Sequence, residues 1–166
     1  MYLTVQLYSE CLGYAGMFQN TNLSMINVSS FDTSNATAMN YIFVDTPSLI
    51  QIIGLNKLST ENLRNMDNIF INCNKLETLD LSNFKTTKLA SADAAFANCS
   101  KLKTIYVSQK FNISKNVSTI NMFANCSNLI GGSGTTFDPT FIDGTAARID
   151  GGVNSPGYYL NFSKTF

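Results

Sequence analysis

The sequence predicts an α/β solenoid: about five short parallel strands, short helical or 3-10 return segments, and a glycine-rich C-terminal cap. Three observations carry this. Phe18, Phe43, Phe70, Phe96 and Phe123 recur at spacings of 25, 27, 26 and 27. Each of the first four is followed by an apolar run at strand-like spacing, clearest in Leu76-x-x-Leu79-x-Leu81 and Leu102-x-x-Ile105-x-Val107. Each of those units then reaches a second anchor, Phe31, Leu58, Phe84 or Phe111, always 12 residues before the next Phe. A unit of this size cannot bury its apolar side alone, so copies must stack.

The rungs begin near residues 3, 23, 49, 76 and 102. Residues 1–16 depart from the pattern: Leu3-x-Val5 reads as the remnant of a preceding strand, and Cys11, out of phase with the other cysteines, is expected free. Leu23-x-x-Ile26-x-Val28 forms the next strand, while the following unit is looser, with Leu49, Ile52 and then Gly54-Leu55. Apolar residues alternating with polar ones indicate a strand. The interval from Phe to anchor runs 13, 15, 14 and 15, so length variation lies in the strand half. The other half spaces its apolar residues at i, i+3 and i+7, as in Ala36, Met39, Phe43; Leu63, Met66, Phe70; and Leu89, Ala92, Phe96. This is one face of a helical segment. Val117, Ile120 and Phe123 shift by one residue.

The array thus occupies 1–130, with repeats near 17–42, 43–69, 70–95 and 96–122. Seven of the ten glycines follow residue 130, and Gly132 stands where the next strand needs an apolar residue. Residues 131–166 are therefore read as a cap that protects the open edge. Ala147–Asp150 and Gly157–Leu160 are expected to form a hairpin around Gly151–Pro156.

Eleven basic and eleven acidic residues leave no net charge, and His and Trp are absent. The first point argues against a nucleic-acid binder or a polybasic membrane-surface protein. The second excludes histidine triads, histidine metal ligands and a histidine base. No stretch has the apolar length of a membrane span, and the N-terminus does not read as a signal peptide.

Cys73, Cys99 and Cys126 are spaced by 26 and 27, which is the repeat and not a metal motif. They are expected to form a buried, reduced column without metal, although neighbouring rungs are close enough that one pair could bridge. Eight Asn-x-Ser/Thr sequons are present, of which those at Asn98 and Asn125 belong to the repeat's own turn and read as hydrogen-bonding ladder residues. The acidic pairs Glu77/Asp80 and Asp138/Asp143 raise acid–base chemistry of the β-helix enzyme kind. The column Asn27, Ile53, Asp80, Tyr106 holds one carboxylate in four positions, so an enzyme is disfavoured. No cofactor is expected, and no calcium loop is present.

The Leu-x-x-Leu-x-Leu pattern at this period is the leucine-rich-repeat signature. More narrowly, Asn72-Cys73-Asn74-Lys75-Leu76-Glu77-Thr78-Leu79-Asp80-Leu81-Ser82-Asn83-Phe84 and Met122–Leu129 resemble the BspA-like leucine-rich repeats of bacterial surface proteins. Phe31–Met39 is similar to that family's linker, and Ala147–Tyr159 to the segment that closes such arrays. The resemblance runs from residue 17 to about 160. It implies an extracellular or cell-surface protein used in adhesion or protein binding.

If Leu79 and Leu81 face inward, Thr78, Asp80 and Ser82 face out. Carried across the rungs, this gives three outward columns: Met25, Gln51, Thr78, Thr104; Asn27, Ile53, Asp80, Tyr106; and Ser29, Leu55, Ser82, Ser108. The expected function is non-enzymatic recognition of a protein or glycan partner through this face. Tyr106 is its best single anchor, since exposed aromatics are favoured in interfaces. The alternative is a spacer or stalk of a larger surface protein.

Overall fold

In the computed structural model, the backbone of residues 2–4 and all of residues 14–162 are described. Cys11 and Val5 lie outside the described residues. The strands are β1 (Tyr2–Thr4), β2 (Met25–Asn27), β3 (Gln51–Ile53), β4 (Thr78–Asp80), β5 (Thr104–Val107) and β6 (Tyr159–Asn161). They form two three-stranded sheets, β1-β2-β3 and β4-β5-β6, and every strand pairing is parallel. Among the described residues, no helix is long and apolar enough to cross a membrane.

The strand starts and the inward alternation follow the sequence pattern. Ile26, Leu79, Ile105 and Val107 are buried, and their flanking residues stand outward. The five phenylalanines form one buried stack, with adjacent ring centroids 5.7, 5.4, 5.8 and 5.5 Å apart and planes within 10° of parallel. The anchors Phe31, Leu58, Phe84 and Phe111 are buried with them.

The return segments are not helical. Their amides bond to the next unit: Met39 N to Asn65 O at 2.9 Å, Tyr41 N to Asp67 O at 3.1 Å, Phe43 N to Ile69 O at 3.1 Å and Asp45 N to Ile71 O at 3.0 Å. Isolated parallel bridges run through Ala38, Asn65, Ser91 and Ser118. Each unit also holds two residues at positive φ, two before and two after its Phe: Gly16/Asn20, Tyr41/Asp45, Asn68/Asn72, Ala94/Asn98 and Asn121/Asn125. A right-handed helix cannot continue through such residues. Spacing of i, i+3 and i+7 therefore describes turns that drop alternate side chains inward. The shifted unit shows the difference: Ile120 is 65% exposed, and Met122 is buried beside Phe123 instead. The helical segments among the described residues are two 3-10 turns, Leu55–Lys57 and Gly152–Asn154.

Two further expectations are corrected. Leu55 is buried in a 3-10 turn and does not join the outward column. Gly54, at φ 81°, turns the chain there, and any Cβ on it would lie 2.5 Å from the Ser29 Cα. The hairpin is also absent: Ile149 bridges Tyr159 in parallel, and β6 adds to β5 as a further parallel strand. Gly151–Pro156 loops the chain round so that it re-enters in the same direction as residue 149.

The C-terminal segment covers the end of the stack. Tyr158 and Tyr159 meet the Phe123 ring edge-on at 5.3 and 5.9 Å. Asp150, almost fully buried, ties the segment together. Its carboxylate accepts hydrogen bonds from Ser133 N, Thr135 N, Thr135 Oγ1 and Gly152 N at 2.7–3.0 Å. Burial works to raise its pKa, but the bonds from Thr135, Gly152 and Ser133 outweigh this and hold it at about 2. A Cβ on Gly131 would lie 2.1 Å from Gly157 O and 2.5 Å from that carboxylate, so the loop closes only around glycine.

Candidate functional site

The outward columns take shape on the strands in the register set by the sequence. Met25 pairs with Gln51 and Asn27 with Ile53 on one sheet; Thr78 pairs with Thr104 and Asp80 with Tyr106 on the other. Gln51 and Thr78 are exposed, and Asn27, Ile53, Asp80, Thr104 and Tyr106 are half-buried. The columns are not continuous. Among the described residues, no backbone hydrogen bond joins 51–53 to 78–80. A cleft of about 510 Å³ lies at this seam, lined by Ile50, Ile52, Ile53 and Asn56 on one side and Glu77 to Asp80 on the other. Asn56 Nδ2 donates to Asp80 Oδ2 across it at 2.7 Å.

Several outward groups are engaged locally. Asn27 Oδ1 accepts from Ser29 N at 2.9 Å, and Asp80 Oδ1 from Ser82 N at 3.0 Å, so both side chains close the turn after their strand. Tyr106 meets Phe162 edge-on at 6.0 Å. The carboxylate pairs are similarly committed. Glu77 pairs with Lys103 at 2.8 Å, which holds its carboxyl below the usual range. Asp138 and Asp143 are lowered by hydrogen bonds from Thr140 and Thr145, two residues on.

Cys73, Cys99 and Cys126 are buried free thiols. Each Sγ donates to the carbonyl of the preceding unit's Phe: Phe43 at 3.2 Å, Phe70 at 3.0 Å and Phe96 at 3.0 Å. In the earlier units threonine takes this position, and Thr21 and Thr46 bond the Phe carbonyl of their own unit instead. Hydrogen bonding with Cys73 and burial raise the Cys99 thiol well above its ordinary range; burial pushes Cys126 up to about 12. Such thiols are poor nucleophiles.

Polar ladders stitch neighbouring units. Asn98 Nδ2 bonds Asn72 Oδ1, and Asn125 Nδ2 bonds Asn98 Oδ1, both at 2.7 Å; Asn72 Nδ2 in turn bonds Asp45. These are the ladder residues expected of the repeat turn. Two further ladders escaped the sequence reading. Buried Thr33, Thr60 and Thr86 each bond a carbonyl one unit on, and Asp67 and Asp93 accept from the next unit's serine hydroxyl and amide. The signal for the first was a Thr two residues after each of three anchors. Among the described residues, no group of three His, Cys, Asp or Glu is placed to hold a metal ion.

This arrangement defines a class: a chain of short parallel strands in which residues about 26 positions apart pair with one another. A family model matches residues 13–132, which is 120 of the 166 residues. The chain belongs to that family, described as Mycoplasma protein of unknown function, DUF285. No curated protein and no solved structure matches it significantly.

Proposed function

We propose that the chain is a leucine-rich-repeat solenoid of the BspA-like kind, carried on a cell surface, and that it binds a protein or glycan partner non-enzymatically through the outer strand face. The carrying observation is the register of that face, which sets Gln51 and Ile53 outward on β3, and Thr78, Asp80, Thr104 and Tyr106 outward on the paired strands β4 and β5. The stacked phenylalanines and the cross-unit ladders support the solenoid reading, because each unit buries its polar and apolar groups against its neighbours. The committed state of Glu77, Asp138 and Asp143 favours recognition over acid–base chemistry.

A spacer reading is favoured by one observation: Asn27 accepts from its own turn, and Asp80 spends one oxygen on its turn and the other on Asn56. Capture of a partner by wild type and by Tyr106→Ala separates the two. The binding reading expects about a tenfold loss of affinity with a nearly unchanged unfolding midpoint. A clear loss of stability with capture unchanged would make Tyr106 a packing residue against Phe162 and favour the spacer.

A further inference from the structure

The margin of the strand face holds a groove built from three units and the C-terminal segment. Asn56, Ser82, Asn83, Ser108, Lys110 and Phe162 line a depression of about 350 Å³. Asn83 and Lys110 also line an adjoining one of about 150 Å³, into which Lys57, Lys85 and Glu61 enter. Its chemistry is graded. One end is aromatic, with Phe162 36% exposed and its ring against Tyr106. The middle offers amides and hydroxyls. The other end is cationic.

Charge is unevenly placed here, although the whole chain is neutral. Glu61 is ion-paired with Lys85, and Lys88 and Lys110 lie close enough to favour its ionised form further. Lys57, Lys85 and Lys110 line the cationic end with Glu61, while Lys88 bonds Asn62 nearby and Asp80 holds one amide hydrogen of Asn56 at the far end. Neither a purely apolar nor a polyanionic ligand suits this lining. The first would leave amides and lysines unmatched, and the second would meet Glu61.

We propose that this groove binds a carboxylate-bearing pyranose of an acidic glycan. The apolar face of the sugar ring lies on Phe162 beside Tyr106, its hydroxyls bond Asn56, Asn83, Ser82 and Ser108, and its carboxylate sits by Lys110 and Lys57. An aromatic body with a few convergent polar groups suits such a ligand, and a charge-assisted bond to lysine adds orientation. This assignment rests on the reading of the strand face as a binding surface and names its ligand class.

The test is calorimetric titration of the full chain with a tetrasaccharide of alternating glucuronate and N-acetylglucosamine. The neutral N-acetylglucosamine tetramer and oligothymidylate serve as comparators. Binding to the acidic tetrasaccharide should be saturable and at least about tenfold tighter than to either comparator, a difference of about 1.4 kcal/mol. Lys110→Gln and Phe162→Ala should each weaken it about tenfold, and Lys75→Gln, on a distant turn, should not. Equal affinity for the neutral tetramer would overturn the carboxylate assignment. Equal affinity for oligothymidylate would reduce the groove to a general anion patch. Absence of saturable acidic-sugar binding, with partner capture still sensitive to Tyr106→Ala, would remove this ligand class and leave the binding reading standing.

Discussion

The return half of each unit and the strand half are stacked on the same neighbours, but they hold those neighbours differently. Through the return half, backbone hydrogen bonds and parallel bridges run without a break from Ala38 to Ser118. Through the strand half, three-residue strands pair on either side and part between β3 and β4. The interval of constant length lies in the return half, and the interval that varies lies in the strand half. Register is carried where length is constant. Length alone does not open the seam, since the interval from Phe96 to Phe111 equals that from Phe43 to Leu58 and yet contains the longest strand. On the β3 side of the seam, Gly54 turns the chain directly after the strand and Leu55 enters the core.

The comparison is broken most directly in the phenylalanine stack. Phe70→Ala removes a fully buried ring from its centre and should cost about 3–5 kcal/mol in denaturant unfolding. A cost below about 1 kcal/mol would show that the stack does not hold the units together. The next largest effect lies in the C-terminal closure. Asp150 has a pKa of about 2 folded against 3.8 for an ordinary aspartate. Its depressed value contributes about 2 kcal/mol at neutral pH. That contribution is present above pH 4 and is lost as pH falls through the folded pKa near 2. Asp150→Asn should flatten this part of the stability profile; an unchanged acid limb would place the sensitivity elsewhere. The smallest effect is a gain. Tyr159 Oη is buried with no hydrogen-bond partner among the described residues, and burial raises its pKa well above the ordinary range. Tyr159→Phe should stabilise the chain by about 1 kcal/mol, read as a higher unfolding midpoint. A loss would show that the hydroxyl has a partner in solution.

Strand positions, their register and the buried Phe and Cys columns were legible because a period of two inside a period of about 26 leaves few alternatives. The conformation of the return was not, because i, i+3, i+7 spacing is shared by a helix and by turns that drop alternate residues inward. The discriminating signal was present: Asn68, Asn72, Asn98, Asn121 and Asn125 are the residue type that tolerates positive φ. The direction of β6 could not be read, since a glycine-rich segment marks a change of course but fixes neither the direction of re-entry nor the strand's partner. The lysine groove was not read because Lys57 and Lys110, each directly before its anchor, lie two units apart, and Lys85 stands on the other side of its own anchor, so the three meet only after stacking.

Amide hydrogen exchange under native conditions tests the central claim, that the return ladder carries the stacking and the strand face is open at its seam. Amides of Tyr41, Phe43, Asn68, Phe70, Phe96 and Asn98 bond across units. Those of Ile52, Thr78 and Asp80 point into the seam, since Ile53 O accepts from Val28 N and Leu81 N donates to Tyr106 O, which turns the alternate residues of each strand toward its paired neighbour. The first set should exchange at least about a hundredfold more slowly than the second. Equal protection of the two sets, or stronger protection at the seam, would contradict it.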